Sequence, residues 1–250
     1  MIALSVVIIT KNEEKNIKEC IESVRGWADE IVIVDDNSSD RTRDMASEYT
    51  DKILVRKMDI EGRHRNWAYQ QAKNEWVLSL DADERVTEEL KQEIEEFLKS
   101  SPQAVACSIP RRNYIGSYWV KYGGWYPSPQ LKMFFKDRFK WEESHVHPIA
   151  FVDGDTAPLK SDIIHYSYRD ITDFINKLNN QTTLEVQKWV DQGKEIKSSR
   201  FLRRSIDRFL RSYFRKQGFK DGFYGFVLAY FASLYQFLSL IKYKELKRKT

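Results

Sequence analysis

Four short runs of aliphatic and β-branched residues mark the first third of the chain: ALSVVIIT at 3–10, EIVIVDD at 30–36, KILVRKM at 52–58 and EWVLSLD at 75–81. Each has the length and composition of a strand. The segments between them carry helical spacing. In NIKECIESVRGWA, Ile17, Cys20, Ile21 and Val24 fall on one face of a helix. SSDRTRDMASEY offers Ser38 or Ser39 as an N-cap, and GRHRNWAYQQAKN opens on a glycine. Strands alternating with helices over 83 residues predict a parallel, doubly wound sheet. TEELKQEIEEFLKS then reads as a helix with an acidic first turn, as the helix dipole favours. From 104 to 165 the pattern becomes strand-rich, aromatic and punctuated by Gly and Pro. That texture predicts a mixed sheet and a substrate-facing lobe.

The end of the chain differs again. Residues 200–216 put Phe201, Leu202, Ile206, Phe209, Leu210, Tyr213 and Phe214 roughly on one helical face, with six Arg and one Lys over most of the rest. Residues 222–241 carry no charge, and KYKELKRKT follows. The sequence therefore divides into a body at 1–193, with halves at about 1–100 and about 101–193, and a helical extension at 194–250.

Charge sharpens this division. The chain of 250 residues has 41 Lys+Arg and 37 Asp+Glu. Residues 194–250 hold 15 of the basic groups and 4 of the acids, which leaves 26 against 33 for the rest. A net charge of −7 is followed by one of +11, a pattern that predicts an anionic partner for the extension. An Arg face opposite a Phe/Leu face is the signature of a helix lying on anionic lipid. Nucleic acid is disfavoured, because the apolar face would have no partner and the acidic body would repel phosphates. Residues 222–241 reach the minimum length for a span. Their Gly, Ser, Gln and Tyr content favours a monotopic contact, or a helix packed in a homo-oligomer, over a crossing; a helix folded on the catalytic core is the remaining alternative. Cys20 and Cys107 read as two buried thiols in a reducing compartment. MIALSVVIITKNEEKN lacks the features of a secretory signal. The expected location is cytoplasmic, peripheral on the inner face of the cytoplasmic membrane.

The candidate chemistry lies where strands end. Ligands of open parallel sheets bind beyond the carboxyl ends of the strands, which gathers Thr10, Lys11 and Asn12, Asp35 and Asp36, and Asp81 and Asp83. Three acids within DADE repel one another unless cations or donors neutralise them. The turn after the first strand, TKNEEKN, has no glycine, and no GxxxxGK[ST] loop occurs, so a dinucleotide cradle or a P-loop is excluded. A diphosphate would then be met by a hard divalent cation on carboxylate oxygens, Mg²⁺ or Mn²⁺. An Asp-x-Asp pair at a strand end sends both side chains to one face. Asp35 and Asp36 are equally suited to open an Asx-type turn in DDNSSD.

SVVIITKNEEKNI, EIVIVDDNSSDRT, RNWAYQQAKNEWVLSLDADERV and GGWYPSPQLKMFFKD occur in the order and approximate spacing of family 2 glycosyltransferases with the GT-A fold. Through HVHP and DIIHYSYRDITDFINKLNNQTT the chain most resembles bacterial lipopolysaccharide inner-core glucosyltransferases. The resemblance covers most of the chain. It implies a Rossmann-like mixed sheet flanked by helices, a catalytic domain at 1–193 with its nucleotide-binding half at about 1–100 and its acceptor-side half at about 101–193, and a nucleotide site of Thr10, Asn12, Asp36, Arg65 and Asp81. Asp36 would accept from the uracil imide with Thr10 nearby. Arg65 would approach the diphosphate, Asp81 would meet the ribose or the metal, and Asp83 would ligate the metal directly. Lys11 departs from the family, standing where many relatives place an aromatic residue near the base.

Such a site predicts inverting transfer of a hexose from a nucleoside-diphosphate sugar, of the UDP type, to a lipopolysaccharide-core or other lipid-linked acceptor. The alternatives are transfer to a polyprenyl phosphate, or a non-catalytic membrane-binding scaffold. Inversion needs a base on the acceptor side. WEESHVHPIAF places Glu142, Glu143, His145 and His147 within six positions, and Pro148 replaces the Glu that relatives carry in VHE. Glu143 is the first candidate, with His147 beside it. Trp119, Trp125 and Tyr126 are either a sugar platform or core. His165 either caps the metal or packs in the core.

Overall fold

The computed structural model describes residues 3–100, 102–144, 148–196 and 198–249. Its chain falls into two compact units, one formed by residues up to Arg111 with Pro129–His165, the other by Arg112–Ser128 with the residues from Tyr166 onward.

The first unit begins β1 (Leu4–Thr10), α1 (Ile17–Glu22), β2 (Glu30–Asp35), α2 (Thr42–Ser47), β3 (Ile53–Val55), α3 (Glu61–Gln70) and β4 (Trp76–Asp81). β5 (Glu84–Val86), α4 (Glu88–Lys99) and β6 (Ala106–Ile109) follow. The chain leaves this unit in β7 (Arg111–Ile115) and passes β8 (Tyr118–Trp119) in the other. It returns for β9 (Gln130–Phe135), β10 (Phe139–Trp141), β11 (Ala150–Val152) and β12 (Thr156–Pro158), and exits again in β13 (Ile163–Tyr168).

Seven strands form one sheet in the order β12-β6-β9-β4-β1-β2-β3. The predicted parallel half is there, since β1 pairs in parallel with both β2 and β4, and β2 with β3. β9 enters antiparallel between β4 and β6 and makes the sheet mixed. Burial on both faces accounts for the unbroken hydrophobic runs. Val6 and Ile8 of β1 join Ile17, Cys20, Ile21, Leu90 and Ile94 in one core, while Val7 joins Val32, Val34, Ala68, Tyr69 and Phe134 in another. Each Val, Leu, Ile or Phe among them contributes roughly 1.5–3 kcal/mol on burial.

In α4 the Thr87 side chain accepts from the N–H of Leu90 and caps the helix. The N-cap expected at Ser38 or Ser39 does not form, and α2 starts at Thr42 without a side-chain cap. Ser38 is drawn off instead, donating to Asp35 and accepting from the N–H of Asn12.

The second unit contains β8, most of β7, α5 (Ile171–Asp191), α6 (Ser198–Leu210) and α7 (Gly222–Lys249). The predicted boundary at 193 is not where the chain divides. Phe174 and Leu178 of α5 share a core with Ile115, Val120 and Leu228, so α5 belongs with the helical extension. The single helix expected over 200–216 ends at Leu210 and continues as a π-helical turn, Arg211–Arg215. Trp125 packs against the same core as Phe174, and Trp119 stands edge-on to Tyr126 at 5.5 Å.

Candidate active site

The register of β1 assembles the site. Thr10 lies opposite Asp35 on β2, and Ile9 opposite Asp81 on β4, so the three strand ends meet at one edge of the sheet. The two aspartates of EIVIVDD then divide their work. Asp35 is fully buried and opens the turn, its Oδ1 accepting from the N–H of Ser38 at 2.8 Å. Asp36, 2% exposed, accepts from the N–H of Met58 at 2.7 Å and from Lys11 Nζ at 2.8 Å. Lys11, where an aromatic residue was expected in relatives, is thus the counter-charge of Asp36. Thr10 Oγ1 is buried beside them with no partner among the described residues. Asn12 has a left-handed backbone (φ 53°), and its side-chain oxygen accepts from the N–H of Ser39 at 2.8 Å. It ties the loop after β1 to the loop after β2.

The acid cluster is neutralised largely by the protein. Arg65, on α3, donates from Nη2 to Asp81 Oδ1 at 2.9 Å and from Nε to Glu61 at 3.0 Å. Lys132, on β9, donates to Asp81 Oδ2 at 2.9 Å and to Glu84 Oε2 at 2.6 Å. Glu84 has no exposure, and it also accepts from the N–H of Asp81. Burial alone would raise the Asp81 carboxyl, but Arg65 and then Lys132 overcome it and hold that group well below the usual carboxylate range. Burial would likewise lower the Lys132 ammonium; Asp81 and Glu84 reverse this and raise it. Lys132 was not singled out from the sequence. The signal was available as the one cation inside the buried run QLKMFF, since a lysine there requires a carboxylate partner.

Asp83 differs from its neighbours. β4 ends at Asp81 and Asp83 sits in the turn before β5, so strand alternation is not what orients it. Its Oδ1 is buried with no partner among the described residues, and its Oδ2 lies 3.6 Å from His165 Nε2. The β5–β13 ladder sets His165 opposite Glu84, one residue from Asp83. Among the described residues no three His, Cys, Asp or Glu side chains converge as a closed metal cage. An open carboxylate oxygen with an imidazole beside it does fit a hard divalent cation that takes its remaining ligands from phosphate and water. Both oxygens of Asp81, by contrast, already accept from cations, so the expectation that Asp81 shares the metal finds Asp81 committed to Arg65 and Lys132.

The acceptor-side candidates come from the 142–147 segment. Glu143 is 54% exposed at its side chain and is held by Arg63, from Nε at 2.9 Å and from Nη2 at 2.8 Å. The backbone of Glu142 and Ser144 approaches α3 closely: the Gly62 N–H meets Ser144 O at 3.4 Å, and a Cβ on Gly62 would lie 1.8 Å from Glu142 O. His145 and His147 lie outside the described residues. A further residue escaped the sequence reading. His64, on α3, is fully buried, and neither ring nitrogen has a partner among the described residues. Burial, and then Arg56, push its pKa down, so the ring is neutral.

Comparison with known proteins agrees with this architecture. A model of the family described as "Glycosyl transferase family 2" matches residues 5–153. An uncharacterised glycosyltransferase of Rickettsia typhi is 29% identical, over 99% of this chain and 88% of that protein. The lipopolysaccharide core biosynthesis glycosyltransferase LpsC of Rhizobium meliloti is 28% identical, over 96% of this chain and 91% of its own. Among solved structures, S. aureus TarS 1–349 in complex with UDP superimposes with a TM-score of 0.50 at 14% identity, over 99% of this chain and 92% of that one. The last is a likeness of fold.

Proposed function

Since the chain belongs to glycosyl transferase family 2, we propose that it moves a hexose from a UDP-sugar to a lipopolysaccharide-core or other lipid-linked acceptor, with inversion, at the inner face of the cytoplasmic membrane. The observation that carries this reading is the unpartnered, buried oxygen of Asp83 beside Asp81, whose two oxygens Arg65 and Lys132 already hold. LpsC, which aligns along most of the chain, points to the acceptor class by its name.

Each residue has a distinct task in this reading. Asp36 accepts from the uracil imide, exchanging the exposed Lys11 ammonium for the base, while the Met58 N–H keeps the carboxylate oriented. The Thr10 hydroxyl is available to the same ring. Arg65, clamped between Glu61 and Asp81, holds its guanidinium toward the diphosphate with little left to reorganise. Asp81 is a positioning group for Arg65. Mg²⁺ or Mn²⁺, held by Asp83 with His165, would offset the negative charge that grows on the departing diphosphate. The proton of the acceptor hydroxyl goes to the 142–147 segment, with Glu143 as the first assignment and His147 as the second.

Titration calorimetry with UDP, in the presence and absence of Mn²⁺, tests the reading. At least tenfold tighter binding with the metal is expected, together with slow hydrolysis of one UDP-sugar from a panel. Failure to bind UDP under either condition overturns it.

A further inference from the structure

The helical unit exposes apolar surface on a scale that its own core does not use. Along α7 one face is buried through Leu228, Ala229, Ser239, Leu240 and Tyr243. The opposite face presents Phe223 (72% exposed), Phe226, Tyr230, Phe237 and Ile241, at helical spacing and with no charge among residues 222–241. This stripe runs about 27 Å at the usual helical rise. A helix on the surface of a soluble protein turns polar residues outward. This one turns aromatic residues outward instead.

α6 carries a second stripe. Leu202, Ile206 and Leu210 are exposed at steps of four, followed by Phe214 in the π-helical turn. The two stripes are joined by rings: Phe209 stacks on Tyr213 at 5.5 Å, and Phe226 stands edge-on to both at about 6 Å. Exposed cations border the α6 stripe, at Arg203, Arg208, Arg211, Arg215, Lys216 and Lys220. Between 200 and 221 the acids are Asp207 and Asp221 alone. Asp221 is buried and accepts from the Tyr118 hydroxyl and the Tyr122 N–H, so it offsets little of the surface charge.

We propose that this surface is a monotopic membrane-binding face, in which α6 and α7 lie in the plane of an anionic bilayer with both apolar stripes sunk to the acyl boundary and the arginines at the phosphates. Charge selects the occupant. A second copy would bring the same positive field against itself, whereas anionic lipid complements it. The fold selects the orientation. By length and composition the helix over Gly218–Arg248 could cross a membrane. Its buried face, however, is bound to α5, where Lys242 Nζ donates to Asn179 O, Thr182 Oγ1 and Thr183 Oγ1 at 2.6–2.8 Å. A crossing would drag α5, with Lys177, Glu185 and Lys188, into hydrocarbon, where charged side chains are costly. Lying in the plane leaves α5 in water and buries only the stripes. The proposal goes beyond glycosyl transfer and does not depend on it.

The test is flotation of the full-length protein with vesicles of phosphatidylcholine, pure or with about one-third phosphatidylglycerol. Partitioning should rise roughly tenfold or more with the anionic lipid, and fall again in about 0.5 M salt. Phe223→Glu and Ile206→Glu, both at exposed positions, should each lower it roughly tenfold. Val55→Glu, at an exposed apolar position of the other unit, should leave it unchanged. Alkaline carbonate should strip the bound protein from the vesicles. Equal partitioning to both vesicle types, indifference to the two glutamate variants, or retention through carbonate would overturn the proposal. So would a dimer in light scattering that Phe223→Glu dissociates while the wild type ignores vesicles. Binding of UDP by the same variants keeps this outcome separate from the transferase reading.

Discussion

Lys132 Nζ and Asp81 Oδ2 lie 2.9 Å apart, although the residues are 51 positions apart in sequence and sit on antiparallel neighbours of the sheet. The same ammonium reaches Glu84, which is wholly buried. Removing it leaves the wholly buried Glu84 with no cation nearer than Arg111 Nη1 at 3.8 Å, and leaves Asp81 to Arg65 alone. Lys132→Met should therefore cost about 3–5 kcal/mol of stability, the usual range for breaking one side of a buried ion pair. Urea unfolding of the variant and the wild type measures this; a loss below about 1 kcal/mol would mean that the pair is not structural.

Asp83 should behave oppositely. Its Oδ1 has no partner to lose, so Asp83→Ala is expected to leave stability within about 1 kcal/mol of the wild type. Turnover and the metal-dependent part of UDP binding should both vanish. His165→Ala should weaken Mn²⁺-dependent binding without abolishing it. Calorimetry beside urea unfolding separates the two effects, and metal-dependent UDP binding that survives in Asp83→Ala would remove Asp83 from the metal.

The thiols give a simple check on the core. Cys20 and Cys107 are free and buried, and burial pushes the Cys107 thiol up to about 12 and Cys20 higher still. Neither forms the reactive thiolate near neutral pH. The native protein should not react with a disulfide reagent over minutes, and both thiols should appear on denaturation. Rapid reaction of the folded chain would contradict the packing around α1 and β6.

Much of the catalytic half was legible because its signals are local. Strands β1, β2 and β4 are continuous apolar runs, and their acids follow directly at the edge where parallel sheets bind ligands. Partnerships made by distant chain segments were not legible. No local pattern says that β9 will insert beside β4 and deliver Lys132 to Asp81, or that β13 will pair with β5 and bring His165 to Asp83. Asp35 and Asp36 looked alike in sequence, and only the turn geometry assigns one to Ser38 and the other to Met58 and Lys11. α5 was placed with the catalytic domain because its own amphipathic pattern does not say which core it will cover; Phe174 and Leu178 settle that by packing on Leu228. His64 was missed for a similar reason, since helical spacing shows a face without saying what faces it.

That histidine gives a pH dependence of known sign. Its folded pKa is depressed, so the unfolded chain binds the proton more readily. The resulting stability is present in full above the unfolded value of about 6.5, and is lost as pH falls from there through the folded value. His64→Met, which keeps the bulk and removes the titration, should narrow the difference in melting temperature between about pH 7.5 and 5.5. An unchanged difference would show that His64 does not titrate in this window.

Gly62 sits where α3 meets the strand-to-loop segment carrying Glu143. A Cβ there would fall 1.8 Å from Glu142 O, a backbone atom that no rotamer change can move aside. Gly62→Ala must therefore push α3 and the 142–144 backbone apart. Overpacking of this kind costs about 1–3 kcal/mol. The functional effect should be larger, because Arg65 lies one turn along the same helix and aims at Asp81, while Glu143 lies on the displaced segment and pairs with Arg63. A shift of about 1 Å in groups that must be pre-positioned can lower a rate roughly 100-fold. In the proposed reading UDP is held more by Asp36 and Asp83, which are outside the moved elements, so its affinity should change less than about tenfold. Steady-state turnover measured beside UDP titration decides the matter. Wild-type turnover in Gly62→Ala, with stability lowered as expected, would mean that α3 and the 142–144 segment need not be held together for the reaction.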